Sequence, residues 1–124
     1  MDAATLVMST VEDKSEGSAH LMAKVGNHLV EDLAWYFNYR RFDDPIVERS
    51  EFDQARDRLG KAGYRCHGSE DAWKEFARLR SRYASPLNQL AQQLSIIPAQ
   101  WIGDRTYLPH LERAGRGRRR RREK

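Results

Sequence analysis

The sequence predicts an all-α fold, a small antiparallel helical bundle of three to four helices with the last helix kinked at Pro86. Three observations carry this expectation. Apolar residues recur in a seven-residue pattern between Trp73 and Trp101, and at helical spacing between Met22 and Phe37. Nowhere does the chain alternate apolar and polar residues as a half-buried strand does. Residues three and four apart share one side of a helix, so each apolar set forms a stripe that needs a partner.

Residues 1–17 read as a flexible or weakly helical lead-in, because Ser15, Gly17 and Ser18 interrupt the pattern that Leu6, Val7, Met8 and Val11 begin. Ser9 and Glu12 are spaced for a capping box over a short helical turn. The bundle domain is expected over 18–112. Its first helix should run from Ser18, as N-cap, to Arg41, bury Met22, Val25, Leu29, Leu33, Tyr36 and Phe37, and end at Asp43, Asp44 and Pro45. Gly26 costs that helix about 1 kcal/mol relative to alanine and marks a close approach by another backbone.

The second helix is expected over Glu51 to Ala62, with Ser50 as its cap, Gly63 as its left-handed stop, and Phe52, Ala55, Leu59 and Ala62 as its buried stripe. Ser69 should cap the third, with Glu70 and Asp71 beside the positive end of its dipole. That helix carries Trp73, Phe76, Tyr83, Leu87, Leu90, Leu94 and Ile97, and Arg80 stands where an apolar residue belongs. Arg80 is expected to lay its stem on the core and reach water or an acid such as Glu75, Asp32 or Asp104. A buried pair that fixes helix register is the alternative. The heptad phase continues from Tyr83 to Leu87, which favours a kink at Pro86 over the alternative, a break with Ser85 as cap and Pro86 at the first position of a fourth helix. Pro98 should end the helix, and Trp101, Ile102, Tyr107 and Leu108 fold back over the bundle.

At 124 residues the chain has room for one core. A single cysteine, Cys66, excludes an internal disulfide and fits a reducing compartment, so a cytoplasmic location is expected. Met1 to Val11 lacks the basic start and long apolar run of a signal peptide, and no uncharged apolar run is long enough to predict a membrane span. The net charge of +4 is divided unevenly: residues 1–112 carry fourteen Lys or Arg against seventeen Asp or Glu, and residues 113–124 carry eight against one. The body is therefore acidic, and the basic character belongs to a tail expected to be disordered.

Chemistry is sparse. His28, Glu31 and Asp32 are spaced to share a helical face, but a carboxylate-bridged metal bundle needs a second such cluster, and His20, His67 and His110 lack the spacing. Cys66 and His67 are adjacent, whereas a thiol nucleophile and its base normally come from separate elements. No glycine loop follows a strand to cradle phosphate, and the Trp101-Ile-Gly-Asp104-Arg105 run reads as a plug and a turn. The expectation is a protein that is not an enzyme and holds no metal or other cofactor. The arginine-rich tail is the strongest signal outside the core: Arg116, Arg118, Arg119, Arg120, Arg121, Arg122 and Lys124 are candidate contacts to anionic lipid or nucleic acid. No aromatic residue there can stack on a base.

Two blocks resemble the cytosolic C-terminal helical region that follows the pore in bacterial two-transmembrane, potassium-channel-like proteins. The first is His28-x-Val30-x-Asp32-Leu33-x-x-x-Phe37; the second is Leu79-Arg80-x-x-Tyr83, continued by Leu87, Leu90-Ala91 and Leu94 and closed by Pro98 and Trp101, with Ala62-Gly63 between the blocks. The resemblance spans roughly residues 18–102 and rests on packing positions. It implies a noncatalytic assembly or regulatory module of an ion channel. The chain contains no pore, so conduction is not assigned to it. The expected partners are a channel or other membrane protein, an anionic membrane surface met by the tail, and a second copy if the heptad is a seam between subunits. The rival reading is a small nucleic-acid-associated protein that uses the tail as a nonspecific arm.

Overall fold

The computed structural model describes residues 1–13, 17–96 and 101. They form an all-α bundle of five helices: α1 Asp2–Thr10, α2 Gly17–Tyr36, α3 Arg49–Lys61, α4 Ser69–Ser81 and α5 Ala84–Gln93. The extended pairing among the described residues is one isolated antiparallel bridge between Val11 and Cys66. The basic tail, Pro98, and the expected fold-back of Ile102, Tyr107 and Leu108 lie outside the described residues.

The expected lead-in is the first correction. Residues 2–10 are a helix that packs on both α4 and α2, burying Ala4, Thr5, Ser9 and Thr10. Ser9 lies inside it and donates to the Leu6 carbonyl, so it caps nothing. Hydropathy missed α1 because its buried face is made of alanine and hydroxyl side chains whose partners lie far along the chain.

Helix α2 stops five residues earlier than expected. Asn38 adopts φ 54°, the Tyr39 amide donates back to the Ala34 carbonyl (2.9 Å) and the Asn38 amide to Trp35 (3.3 Å). This left-handed cap satisfies the terminal carbonyls before Asp43 to Pro45 is reached. Gly63 (φ 95°) ends α3 in the same way, as expected, and Ser95 (φ 55°) ends α5. The cap of α3 is Glu48, which forms a reciprocal box with Glu51, so Ser50 falls within the helix. Gly68 is the N-cap of α4, and Ser69 is its first residue.

The long helix expected to kink at Pro86 is instead two helices, joined at Arg82 and Tyr83. Pro86 is the third residue of α5 and is fully buried. In a first turn its missing N–H would have had no intrahelical acceptor, and the Arg82 carbonyl it would have struck lies outside the helix. Proline thus sits in the first turn of α5 without breaking a hydrogen bond.

The aromatic core is Phe52, Phe76, Val47 and Ala72, with Leu6, Trp73 and Trp101 packed against it. Ile46 adopts φ 52°, a strained value for a β-branched residue, and its amide donates a hydrogen bond to Asp44 Oδ1 (2.8 Å) that supports the turn carrying Val47 inward. The chain between α2 and α3 is zipped to α5 by three side chains one turn apart. Ser85 Oγ accepts from the Phe42 amide (3.1 Å), Gln89 accepts from the Arg40 amide and donates to its carbonyl, and Gln93 accepts from the Tyr39 hydroxyl (2.6 Å).

Candidate interaction surface and the polar knot beneath it

Two features stand out where the heptad reading goes astray. The first is largely buried. Arg80 does not snorkel to Glu75, Asp32 or water: it makes a two-toothed ion pair with Asp2, Nε to Oδ1 at 3.1 Å and Nη2 to Oδ2 at 3.2 Å. Its remaining nitrogen donates to the Pro45 carbonyl. The Arg80 side chain is 13% exposed, and its guanidinium also lies 6.0 Å from the centre of the Tyr83 ring. Tyr83 is buried; its hydroxyl donates to Asp2 (2.6 Å) and shares a second hydrogen bond with the Thr5 hydroxyl (3.0 Å). The paired alternative is therefore the nearer one: a partly buried ion pair joins α1, α4 and the approach to α3 through groups that would otherwise be costly to bury.

Burial and the adjacent Asp2 carboxylate hold the Tyr83 hydroxyl well above the usual phenol range. An unfolded tyrosine ionises near pH 10, so this contribution to stability is fully present below about pH 10 and is lost as pH rises from there through the folded-state value. One of the five tyrosines should consequently ionise only as the protein unfolds in an ultraviolet titration. Tyr83→Phe should flatten the alkaline fall in urea midpoint while lowering the neutral-pH midpoint. An unchanged alkaline slope would sink this assignment.

The second feature is the outside of α2. The expected buried stripe is largely the exposed one: Met22, Val25, Leu29 and Tyr36 face outward, Phe37 is only partly covered, and Leu33 is half-buried. The face turned inward is Ala23, Val30 and Ala34. Small side chains let helix axes approach closely, so they, and not the larger residues, meet the bundle. Gly26 belongs to the same logic, but the atom that needs its space is the Met1 sulfur, not a backbone as expected.

His28 and Asp32 lie exposed on α2. His28 and Glu31 help line an open groove of about 380 Å³ shared with His20, Lys24 and Arg82, where Glu31 faces Arg82 at 3.7 Å and Arg41 at 3.9 Å. Among the described residues no group of three or more His, Cys, Asp or Glu side chains could hold a metal ion. Cys66 is half-buried in the bridge to Val11, and the His67 amide donates to the Thr10 carbonyl (2.8 Å), so this pair serves backbone pairing.

No protein-family model, curated protein or solved structure matches the chain. The residues of the channel-like resemblance are therefore placed by the fold alone. Tyr83 and Arg80 join the polar knot; Leu79, Leu87 and Leu90 are half-buried; Leu94 is exposed beside the Ser95 cap; and Trp101 packs 5.3 Å from Phe76. Pro98 and the tail contacts Arg116, Arg118 to Arg122 and Lys124 lie outside the described residues. No described helix is long and apolar enough to cross a membrane. Sequence reasoning missed α1's hydroxyl-bearing face. The signal that could have found it is the i, i+4 pair Thr5 and Ser9 together with Ala4.

Proposed function

We propose that the chain is a noncatalytic cytosolic interaction or regulatory module resembling the C-terminal region of a bacterial potassium-channel-like protein, with its arginine-rich tail lying near anionic lipid. The observation that supports this reading is the outer side of α2, where large apolar residues stand in solvent on a helix whose opposite side already packs on the bundle. Exposed apolar surface on that scale marks a contact with another macromolecule. The division between an acidic body and a basic tail favours a tail that acts separately, at a surface of negative charge.

The test uses the tagged full chain in two measurements, co-purification with a pore-forming membrane protein and sedimentation with vesicles. The expected results are recovery of that membrane protein and stronger binding to phosphatidylserine-containing vesicles than to neutral ones. Equal binding to both vesicle types removes the lipid part, and failure to recover any pore-forming protein removes the channel part. The tail's five consecutive arginines favour one second reading, a nucleic-acid arm. That reading predicts RNA or DNA binding that falls steeply with salt and vanishes when residues 116–124 are deleted.

A further inference from the structure

We infer that the outer side of α2 is the interface between two copies of this chain, paired antiparallel across a two-fold axis. The inference rests on the interaction-module reading above and names its partner. Leu21, Met22, Val25, Leu29, Trp35 and Tyr36 are each between 57% and 84% exposed, on a helix whose inward side is occupied by Ala23, Val30 and Ala34. Together these six side chains present on the order of 800 Å², the area each partner contributes to a standard stable interface. Met22, Val25 and Leu29 follow the three-and-four spacing of a helix-pair seam, and Tyr36 continues it one full repeat beyond Leu29.

The step between Leu29 and Tyr36 is Asp32, and this residue selects the occupant. A carboxylate in the middle of the stripe, on a body that is net negative over residues 1–112, opposes immersion in an anionic bilayer. Against a second copy it has a ready partner. An axis through the middle of the stripe lays the Leu21 and Met22 end of one helix on the Trp35 and Tyr36 end of the other. It also sets His28 and Asp32, one turn apart near the axis, within reach of each other's counterparts. Neither the His28 nor the Asp32 side chain makes a hydrogen bond or ion pair with another described residue. The arrangement is self-complementary, as an isologous contact must be. A single polar residue in an otherwise apolar seam is also a common device for fixing helix orientation.

Sedimentation equilibrium of the full chain should give a species of twice 14.5 kDa in the micromolar range. Leu29→Glu, placed on a solvent-facing helical position, should keep the helical circular dichroism and weaken association at least about tenfold. Orientation is read by disulfide trapping in a Cys66→Ser background. Leu29→Cys, near the axis, should cross-link to its own copy; Leu21→Cys should not, but should cross-link to Tyr36→Cys when the two proteins are mixed. A monomer at every concentration, a dimer indifferent to Leu29→Glu, or self-cross-linking by Leu21→Cys overturns the inference. A monomer that binds vesicles through α2 also overturns it, in favour of lipid, and leaves the interaction-module reading standing. A dimer that recovers no membrane protein keeps the inference and removes the channel reading. A monomeric chain whose Leu29→Glu variant melts lower places another part of the same chain on this side and likewise overturns the pairing.

Discussion

Phe76→Ala should be the most damaging single truncation among the described residues, lowering stability by about 3–5 kcal/mol in urea or thermal unfolding. Phe76 is completely buried and sits at the meeting point of Phe52 (5.0 Å between ring centres), Trp73 (6.1 Å) and Trp101 (5.3 Å). Three aromatic neighbours drawn from α3, α4 and Trp101 cannot all close on a methyl group, so a cavity remains and the loss includes the cavity cost. A domain of this size commonly holds about 5–15 kcal/mol in total, so much of the reserve would be gone. The change should also alter tryptophan fluorescence, because two of the three neighbouring rings are indoles. Phe76→Leu should cost clearly less, since it leaves most of the volume filled. Equal losses for the two variants would show that the rings are not packed as described.

Arg80→Leu is the second large effect, and its sign is the informative part. On heptad pattern alone the change restores an apolar residue to an apolar position and ought to stabilise. In the structure it removes the counter-charge from Asp2, the donor from the Pro45 carbonyl and the cation beside the Tyr83 ring. Asp2 retains some access to water, which moderates the loss, and a cost of about 2–3 kcal/mol is expected. For a domain near this length that corresponds to a melting point lower by roughly 10 °C or more. Arg80→Lys should fall between the two proteins, because an ammonium cannot grip both carboxylate oxygens and the carbonyl together. A higher melting point for Arg80→Leu would return Arg80 to the solvent-seeking role that its sequence context suggests.

What the sequence discloses and conceals follows from the kind of residue that does the work. The all-α class was legible, as was the left-handed stop at Gly63, because periodicity and glycine's tolerance of positive φ are local properties. The junction at Arg82 and Tyr83 was not, since the apolar phase runs straight through it and favours a kink over a break; the three-dimensional path puts Pro86 in the first turn of a separate helix. For α2, periodicity picked out one apolar stripe, and it proved to be largely the outer side. The large residues looked like core, yet Ala23, Val30 and Ala34 won because bundle helices must approach closely. The role of α1 was hidden further still. Asp2 and Thr5 read as surface residues until Arg80 and Tyr83 are brought beside them, across separations of 78 to 81 residues. The outer side of α2 became a candidate surface only once the inner one was known.

The long reach between Asp2 and Arg80 also bears on how the chain is made. Helix α1 has its polar partners on residues that the ribosome adds some eighty codons later, a wait of roughly 4–16 s at ordinary synthesis rates. Too short to persist alone in water, α1 has only α2 to pack on until α4 and Tyr83 appear. Completion of this small domain is therefore held open until late in translation, and a stall before Arg80 leaves a nascent chain whose Asp2 and Thr5 side chains have yet to meet their polar partners.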